Sequence, residues 1–204
     1  MKEKNRRIIM TVIGVLILGF SIGIFNFSAF GMGPFQVFVH GLWRHIPMGY
    51  GVFYMILNLI ILIFIFFIDR HKIGLGTVVN IFLLGYVVEY TSLFFDRRIP
   101  NPSIWVRTLF LIVGIIILCL GVSLYIIGDL GISPYDSIAL ILSEKKVAPF
   151  QYCRIGTDLI STIIGFLLGE TVGIGTLATA FFMGPIVDFF NKRISIPLRY
   201  SGKN

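Results

Sequence analysis

From Ile8 to Trp43 the chain carries no Asp, Glu, Lys or Arg, and a second run of the same kind extends from Thr108 to Gly128. An uninterrupted apolar stretch of about 20 residues matches the hydrocarbon thickness of a bilayer. The rest of the composition agrees. Of the 204 residues, 56% are hydrophobic and only 13% are charged, with a mean hydropathy of +0.92, whereas soluble domains carry roughly a quarter charged residues. Several such runs predict an all-α integral membrane protein that crosses the lipid bilayer repeatedly and has no soluble domain of appreciable size.

The formal net charge of +7 has a topological reading. Basic residues stand at the ends of apolar segments (Lys2, Lys4, Arg6, Arg7; Arg97, Arg98; Lys145, Lys146; Lys192, Arg193), where the positive-inside bias places them. No basic stripe marks a separate folded surface, which argues against nucleic acid as a partner. The N-terminus superficially resembles a signal peptide, but its apolar run is long for one and recurs inside the chain, so it is expected to remain. Cys119 and Cys153 have no metal-ligand spacing and read as small packing residues.

The recurrence has a period of about 100 residues, found by searching for self-similarity. Gly31-Met32-Gly33-Pro34-Phe35-Gln36 matches Gly131-Ile132-Ser133-Pro134-Tyr135-Asp136, and Asn58 matches Asp158. With one residue dropped, Gly74-Leu75-Gly76-Thr77 matches Gly173-Ile174-Gly175-Thr176, followed by Phe82 with Phe181, Gly85 with Gly184, Val88 with Val187 and Glu89 with Asp188. Chance apolar similarity would match Leu and Ile and miss the glycines, prolines and polar groups.

Two tandem homologous repeats follow, each with three long transmembrane helices and one short helix after a Gly-Pro turn. The first copy is expected to hold helices over Ile8–Ser28, Pro34–Ile46, Tyr50–Ile68 and Thr77–Phe94. The second is expected to hold them over Thr108–Ile127, Pro134–Lys146, Tyr152–Leu168 and Thr176–Phe190. The division is a cytoplasmic N-terminus at 1–7, membrane copies at 8–95 and 107–191, a linker at 96–106 with Pro100 and Pro102, and a basic cytoplasmic tail at 192–204. A short segment of about 13 residues covers roughly 20 Å, less than a bilayer needs. If it is re-entrant, each copy crosses three times and the copies are inverted; if it crosses, each copy crosses four times and the copies are parallel. The four-crossing form leaves only Arg70 and Lys72 outside, against Arg44, Arg97, Arg98 and Arg107 in the other, so charge favours the parallel arrangement. Either form puts both termini in the cytoplasm.

At the Gly-x-[Gly/Ser]-Pro-aromatic-[Gln/Asp] turn the chain resembles the YczE/YitT group of bacterial membrane proteins. The second copy is the closer match, and the Gly173–Thr176 turn with the helix through Asp188 adds to it. The first copy departs at Gly33 and Gln36. The chain ends near Asn204, so the cytoplasmic C-terminal domain of the YitT branch is not expected here. The resemblance implies a multispanning bacterial inner-membrane protein and no particular activity.

Function must therefore come from individual residues. Ser133, Pro134 and Asp136 fit the N-cap, N1 and N3 positions of a helix, with Gly33, Pro34 and Gln36 in the same places of the first copy. Such a helix start exposes N–H groups and partial positive charge, the device by which broken helices of transporters hold polar solutes; the plainer reading is a clean helix start. Asp158 at mid-helix is costly. It either faces a solute path or pairs with Arg154 one turn away, a pair that Asn58, with Tyr54 before it, has no counterpart for. Glu89 and Asp188 share a helix face with Gly85 and Gly184, and Asp188 is also four residues before Lys192, within reach of an interfacial ion pair. Thr77-x-x-Asn80 reads as capping, and His40 and His45 as local features. No nucleophile–base set, metal pair or nucleotide loop is present, so neither enzyme activity, nor a cofactor, nor a bound metal is expected. The leading expectation is a permease-like transporter passing a small solute between the copies. The alternative is a non-transporting scaffold or regulator, and a second copy or a partner membrane protein is a candidate partner for either.

Overall fold

The structure is a computed structural model that describes residues 3–48 and 50–201; the side chains of Tyr50, Gly51, Val52, Met55, Lys72, Gly85 and Glu89 lie outside the described residues. Among the described residues all regular structure is helical: α1 (Glu3–Ser28), α2 (Pro34–Trp43), α3 (Tyr50–Asp69), α4 (Leu75–Arg98), α5 (Ile104–Gly128), α6 (Pro134–Glu144), α7 (Phe150–Leu167), α8 (Ile174–Phe190) and α9 (Ile196–Tyr200). Among the described residues four stretches are long and apolar enough to cross a membrane: Glu3–Ser28, Leu75–Arg98, Ile104–Gly128 and Ile174–Tyr200.

Boundaries differ from the sequence expectation where caps, not hydropathy, decide. The short helices end early, at Trp43 and Glu144; the Trp43 indole donates to Met48 O at 2.7 Å just past that end. α4 runs on to Arg98 because no breaker precedes Pro100, and Arg97 and Arg98 suit its negative C-terminus. Within the basic tail expected at 192–204, the residues up to Tyr200 are helical. α8 passes through a π-turn over Asn191–Ser195 into α9, and the Ser123 hydroxyl meets Asn191 at 2.7 Å and Ser195 at 2.6 Å there.

Backbone contacts divide the chain into two compact units, and each draws on both halves of the sequence. The first comprises Met1–Phe30, Ile73–Ser133 and Pro185–Asn204; the second comprises Gly31–Lys72 and Pro134–Gly184.

In the first unit α1 and α5 run antiparallel along a seam of glycines. A Cβ on Gly14 would lie 2.7 Å from the Tyr125 backbone nitrogen, and one on Gly121 would lie 2.8 Å from that of Leu18. Small residues let backbones approach in this way, and van der Waals contact then replaces the hydrophobic drive that lipid does not supply. The ends are tied reciprocally. Arg7 donates from Nε to Gly128 O at 3.0 Å and from Nη2 to Asp129 O, at the end of α5. Arg107 donates from Nε to Ser28 O at 2.8 Å and from Nη2 to Ala29 O at 2.9 Å, at the end of α1. Each guanidinium thus satisfies the orphan carbonyls of the other helix.

Within this unit α1 and α5, a hundred residues apart in sequence, point opposite ways, which goes against the parallel arrangement that the charge count favoured. Counting Arg97, Arg98 and Arg107 as a penalty ignored that Arg107 is held by helix-end carbonyls. α4 lies alongside α1 and runs with it, Val87 against Gly19 and Thr91 against Gly23, so its end with Arg97 and Arg98 lies beside the end of α1. The opposite end gathers the start of α1 and α9, where Arg6 donates to Arg199 O at 3.1 Å and Arg199 to Ile127 O at 2.9 Å.

Both Gly-rich turns are pinned in the same manner, each within its own unit. In the first unit Gly131 has φ +96°, a left-handed conformation for which glycine is suited. Gly76 N–H donates to Leu130 O at 2.6 Å, and the Thr77 hydroxyl donates to Ile132 O at 2.9 Å. In the second unit Gly31 has φ +121°, and the Thr176 hydroxyl donates to Met32 O at 2.6 Å. There α2 packs on α7, and α6 on α7 and α3; Gly41 and Gly165 bring the α2 and α7 backbones together.

Candidate functional site

The second unit contains a buried polar cluster built from the first turn of α6 and the middle of α7. Pro134 fixes the start of α6, so Tyr135 and Asp136 project from its first turn, while Arg154 and Asp158 lie one turn apart on a single face of α7. Arg154 Nε donates to Asp158 Oδ2 at 3.1 Å, and its Nη1 donates to Asp136 Oδ1. The Tyr135 hydroxyl donates to Asp158 Oδ1 at 2.5 Å. The guanidinium also stands 5.0 Å from the Tyr135 ring centroid and contacts the Met183 sulfur at 3.5 Å. Asp158 is fully buried, and Arg154, Asp136 and Tyr135 retain 5–7% exposure. Two carboxylates therefore share one guanidinium, a formal charge of −1 when both acids are ionised.

The positions one hundred residues earlier are Phe35, Gln36, Tyr54 and Asn58, which carry no charge. Asn58 donates to Tyr54 O in its own helix at 2.9 Å, and Gln36 Oε1 accepts from Gly33 N–H at 3.3 Å. The two sets meet through aromatic rings: Phe35 stacks on Tyr135 with centroids 4.4 Å apart and planes at 19°, and Tyr54 stands edge-on to Phe35 at 6.2 Å.

Of the residues singled out from sequence, Asp136 and Asp158 are brought together on Arg154, while Gly33, Pro34 and Gln36 begin α2 and Ser133 precedes α6. Asp188 belongs to the first unit and forms an exposed i,i+4 ion pair with Lys192 at 2.7 Å. Glu89 lies within α4 and its side chain is outside the described residues. His45 contacts Leu168 O at 3.2 Å, and among the described residues no three His, Cys, Asp or Glu side chains converge as metal ligands do.

Sequence reasoning missed the role of Tyr135, whose hydroxyl is the one atom that distinguishes it from Phe35. The signal was present, because Tyr135 differs from Phe35 just where Asp136 differs from Gln36 and Asp158 from Asn58. It also missed Asp129, which accepts from Arg7 at 3.0 Å and Arg199 at 3.1 Å.

Similarity to known proteins covers most of the chain. The "uncharacterized membrane protein YczE" of Bacillus subtilis (strain 168) is 26% identical over 178 residues, spanning 86% of this chain and 81% of that protein. An "uncharacterized protein" of Haemophilus influenzae is 25% identical over 174 residues, 85% of this chain and 78% of its own length. The "uncharacterized protein YyaS" of Bacillus subtilis is 23% identical over 178 residues, 87% and 89% respectively. No solved structure matches. The profile of the family described as a family of unknown function, DUF6198, matches residues 5–192, and with its apolar spanning helices this chain is a multi-pass membrane protein belonging to that family.

Proposed function

We propose that this protein is a permease-like transporter of a small polar solute, built from two repeats that are inverted in the membrane. The observation that carries the reading is the antiparallel pairing of α1 with α5, with Arg7 and Arg107 exchanging the same bonds at opposite ends. Inverted repeats with broken helices at the repeat interface are a recurrent transporter architecture. The path runs where the copies meet, at the Phe35–Tyr135 stack, lined by Gly33, Pro34, Gln36 and Asn58 from one copy and Ser133, Pro134, Asp136 and Asp158 from the other. Each copy crosses three times, and both termini face the cytoplasm of the inner membrane, together with Lys4, Arg6, Arg7, Lys192, Arg193 and Arg199.

Thiol mapping tests the orientation. Asn101→Cys reacts with a membrane-impermeant maleimide added to intact cells and Ile73→Cys reacts only after lysis; the reverse pattern restores the parallel arrangement. Transport itself is tested with purified protein in vesicles loaded in turn with labelled sugars, amino acids, nucleosides and organic anions. At least one solute leaves faster than from equally loaded vesicles without the protein, and Asp158→Asn and Asp136→Asn abolish most of that efflux. Unchanged efflux in variants that elute as folded protein ends this reading.

A scaffold role has one observation in its favour. The buried acids are engaged by Arg154, and Asp188 by Lys192, contacts that a purely structural role also uses. On that reading no solute moves, and the neutral variants keep whatever partner the wild type retains on native purification.

A further inference from the structure

The ties at the two ends of the α1–α5 pair differ in one group. Arg7 donates to two carbonyls at the end of α5 and also meets the Asp129 carboxylate at 3.0 Å. Arg107 makes the same two carbonyl bonds at the end of α1, to Ser28 and Ala29. Ala29 and Asp129 each follow the helix in a left-handed conformation, with φ of +52° and +53°. Aspartate is enriched at such positions and alanine is not. With a methyl group at position 29, Arg107 has no carboxylate partner among the described residues.

A cavity of about 560 Å³ opens beside Arg107, walled by Phe27, Ala29, Asp96, Pro100 and Pro102. All of these belong to the first unit, and the volume is that of a small-molecule pocket. Phe27 is held by ring contacts with Phe95 and Phe110 and gives the cavity an apolar wall. Asp96 stands in the last turn of α4, where the helix dipole disfavours a negative charge. It makes no hydrogen bond or ion pair among the described residues, and its neighbour Arg98 lies over the Phe94 ring, 5.5 Å from the centroid.

We infer that this cavity binds a small zwitterion. The acid group of the ligand meets Arg107, in the role that Asp129 plays for Arg7, and its ammonium meets Asp96. A simple anion would leave Asp96 unpaired, and a simple cation would leave Arg107 so. A short carbon chain between the two charges lies against Phe27 and the prolines. A free amino acid and a phosphatidylethanolamine headgroup share this chemistry. The assignment holds whether or not the chain transports a solute.

Saturation-transfer NMR on the full chain in uncharged maltoside micelles tests it. The probes are glycine, γ-aminobutyrate and ε-aminocaproate, each beside the carboxylic acid and the amine of the same chain length. At the best length the amino acid binds about tenfold more tightly than its matched acid or amine, the worth of one further charge-assisted contact. Asp96→Asn removes that advantage and leaves the matched acid unchanged. Ala29→Asp supplies Arg107 with a carboxylate of the chain itself, so it abolishes binding of the amino acid and the acid while the protein melts no lower than wild type. If Ala29→Asp melts early, Asp96→Asn alone decides. Amino acids that bind no better than their matched acids and amines, or an amino-acid affinity unchanged in Asp96→Asn, overturn the inference. Phosphatidylethanolamine added to the micelles separates the two sources. A headgroup in the cavity displaces the amino acid, and native mass spectrometry then retains this lipid on wild type and loses it on Ala29→Asp; undiminished amino-acid binding assigns the cavity to a free solute.

Discussion

The two sets that meet at the Phe35–Tyr135 stack lie one hundred residues apart in sequence, and one is charged while the other is neutral. Tyr135, Asp136, Arg154 and Asp158 form a buried ionic network, whereas Phe35, Gln36, Tyr54 and Asn58 satisfy themselves locally with backbone groups or rings. The geometry of a short helix starting at a Gly-Pro turn is common to both, so it does not require charge. The difference teaches that the ionic network is an addition to the scaffold. Arg154 engages both acids, and the Tyr135 hydroxyl donates to Asp158, so the four residues act as one network.

The strongest way to break that comparison is to remove the shared cation. Arg154→Met strands two carboxylates, and loss of one partner of a buried pair costs about 3–5 kcal/mol. Thermal unfolding in detergent, followed by loss of helical circular dichroism, should show a large fall in midpoint, with D136Q/R154Y/D158N much closer to wild type. A single variant as stable as the triple one means the network is not held by charge. The reverse graft comes next. Asn58→Asp puts an acid where Tyr54 replaces the arginine, at a cost of about 2.5–3.5 kcal/mol for a carboxylate at membrane depth, read as reduced membrane yield and an earlier melt. Adding Tyr54→Arg restores part of it, because the i,i+4 spacing that joins Arg154 to Asp158 is the same.

Tyr135→Phe makes a smaller change and converts the second stack into the image of the first. It removes one hydrogen bond to a charged acceptor, a loss of about 1.5–3 kcal/mol, while the ring stays on Phe35. Stability equal to wild type would show that the hydroxyl at 2.5 Å is not part of what holds Asp158.

How much of this was legible follows from which physical signal each feature leaves. The spanning helices were legible because a charge-free run of bilayer length has few other fates. The Arg154–Asp158 pair was legible because i,i+4 spacing is local. Helix direction was not, because Arg97, Arg98 and Arg107 were weighed as exposed charge, and only the fold shows Arg107 spent on the carbonyls of Ser28 and Ala29. The threonines were half legible. Thr77 does accept from Gly74 N–H at 3.2 Å, as a cap does, but its own proton goes to Ile132 O, 55 residues away, and no local pattern announces a bond of that range. Asp136 was placed at a helix start correctly and given a capping partner, while its engagement with Arg154 depends on α6 packing against α7.

The smallest effect tests where the halves agree. Arg7 and Arg107 do the same work at the ends of α5 and α1, so Arg7→Gln and Arg107→Gln should each lower stability by about 0.3–1 kcal/mol, the usual worth of a cation at a helix C-terminus. Arg7 also touches Asp129, but Asp129 keeps Arg199 at 3.1 Å, so that extra partner adds little to its loss. The two sites lie at opposite ends of the antiparallel pair, and effects at distant sites add. The double variant should therefore melt lower than wild type by the sum of the single shifts. Equal single shifts with an additive double would confine the difference between the halves to the buried network. A shift for Arg7 with none for Arg107 would mean that the ends of α1 and α5 are not held alike, and the symmetry that makes Phe35, Gln36, Tyr54 and Asn58 a fair control for the charged set would be lost.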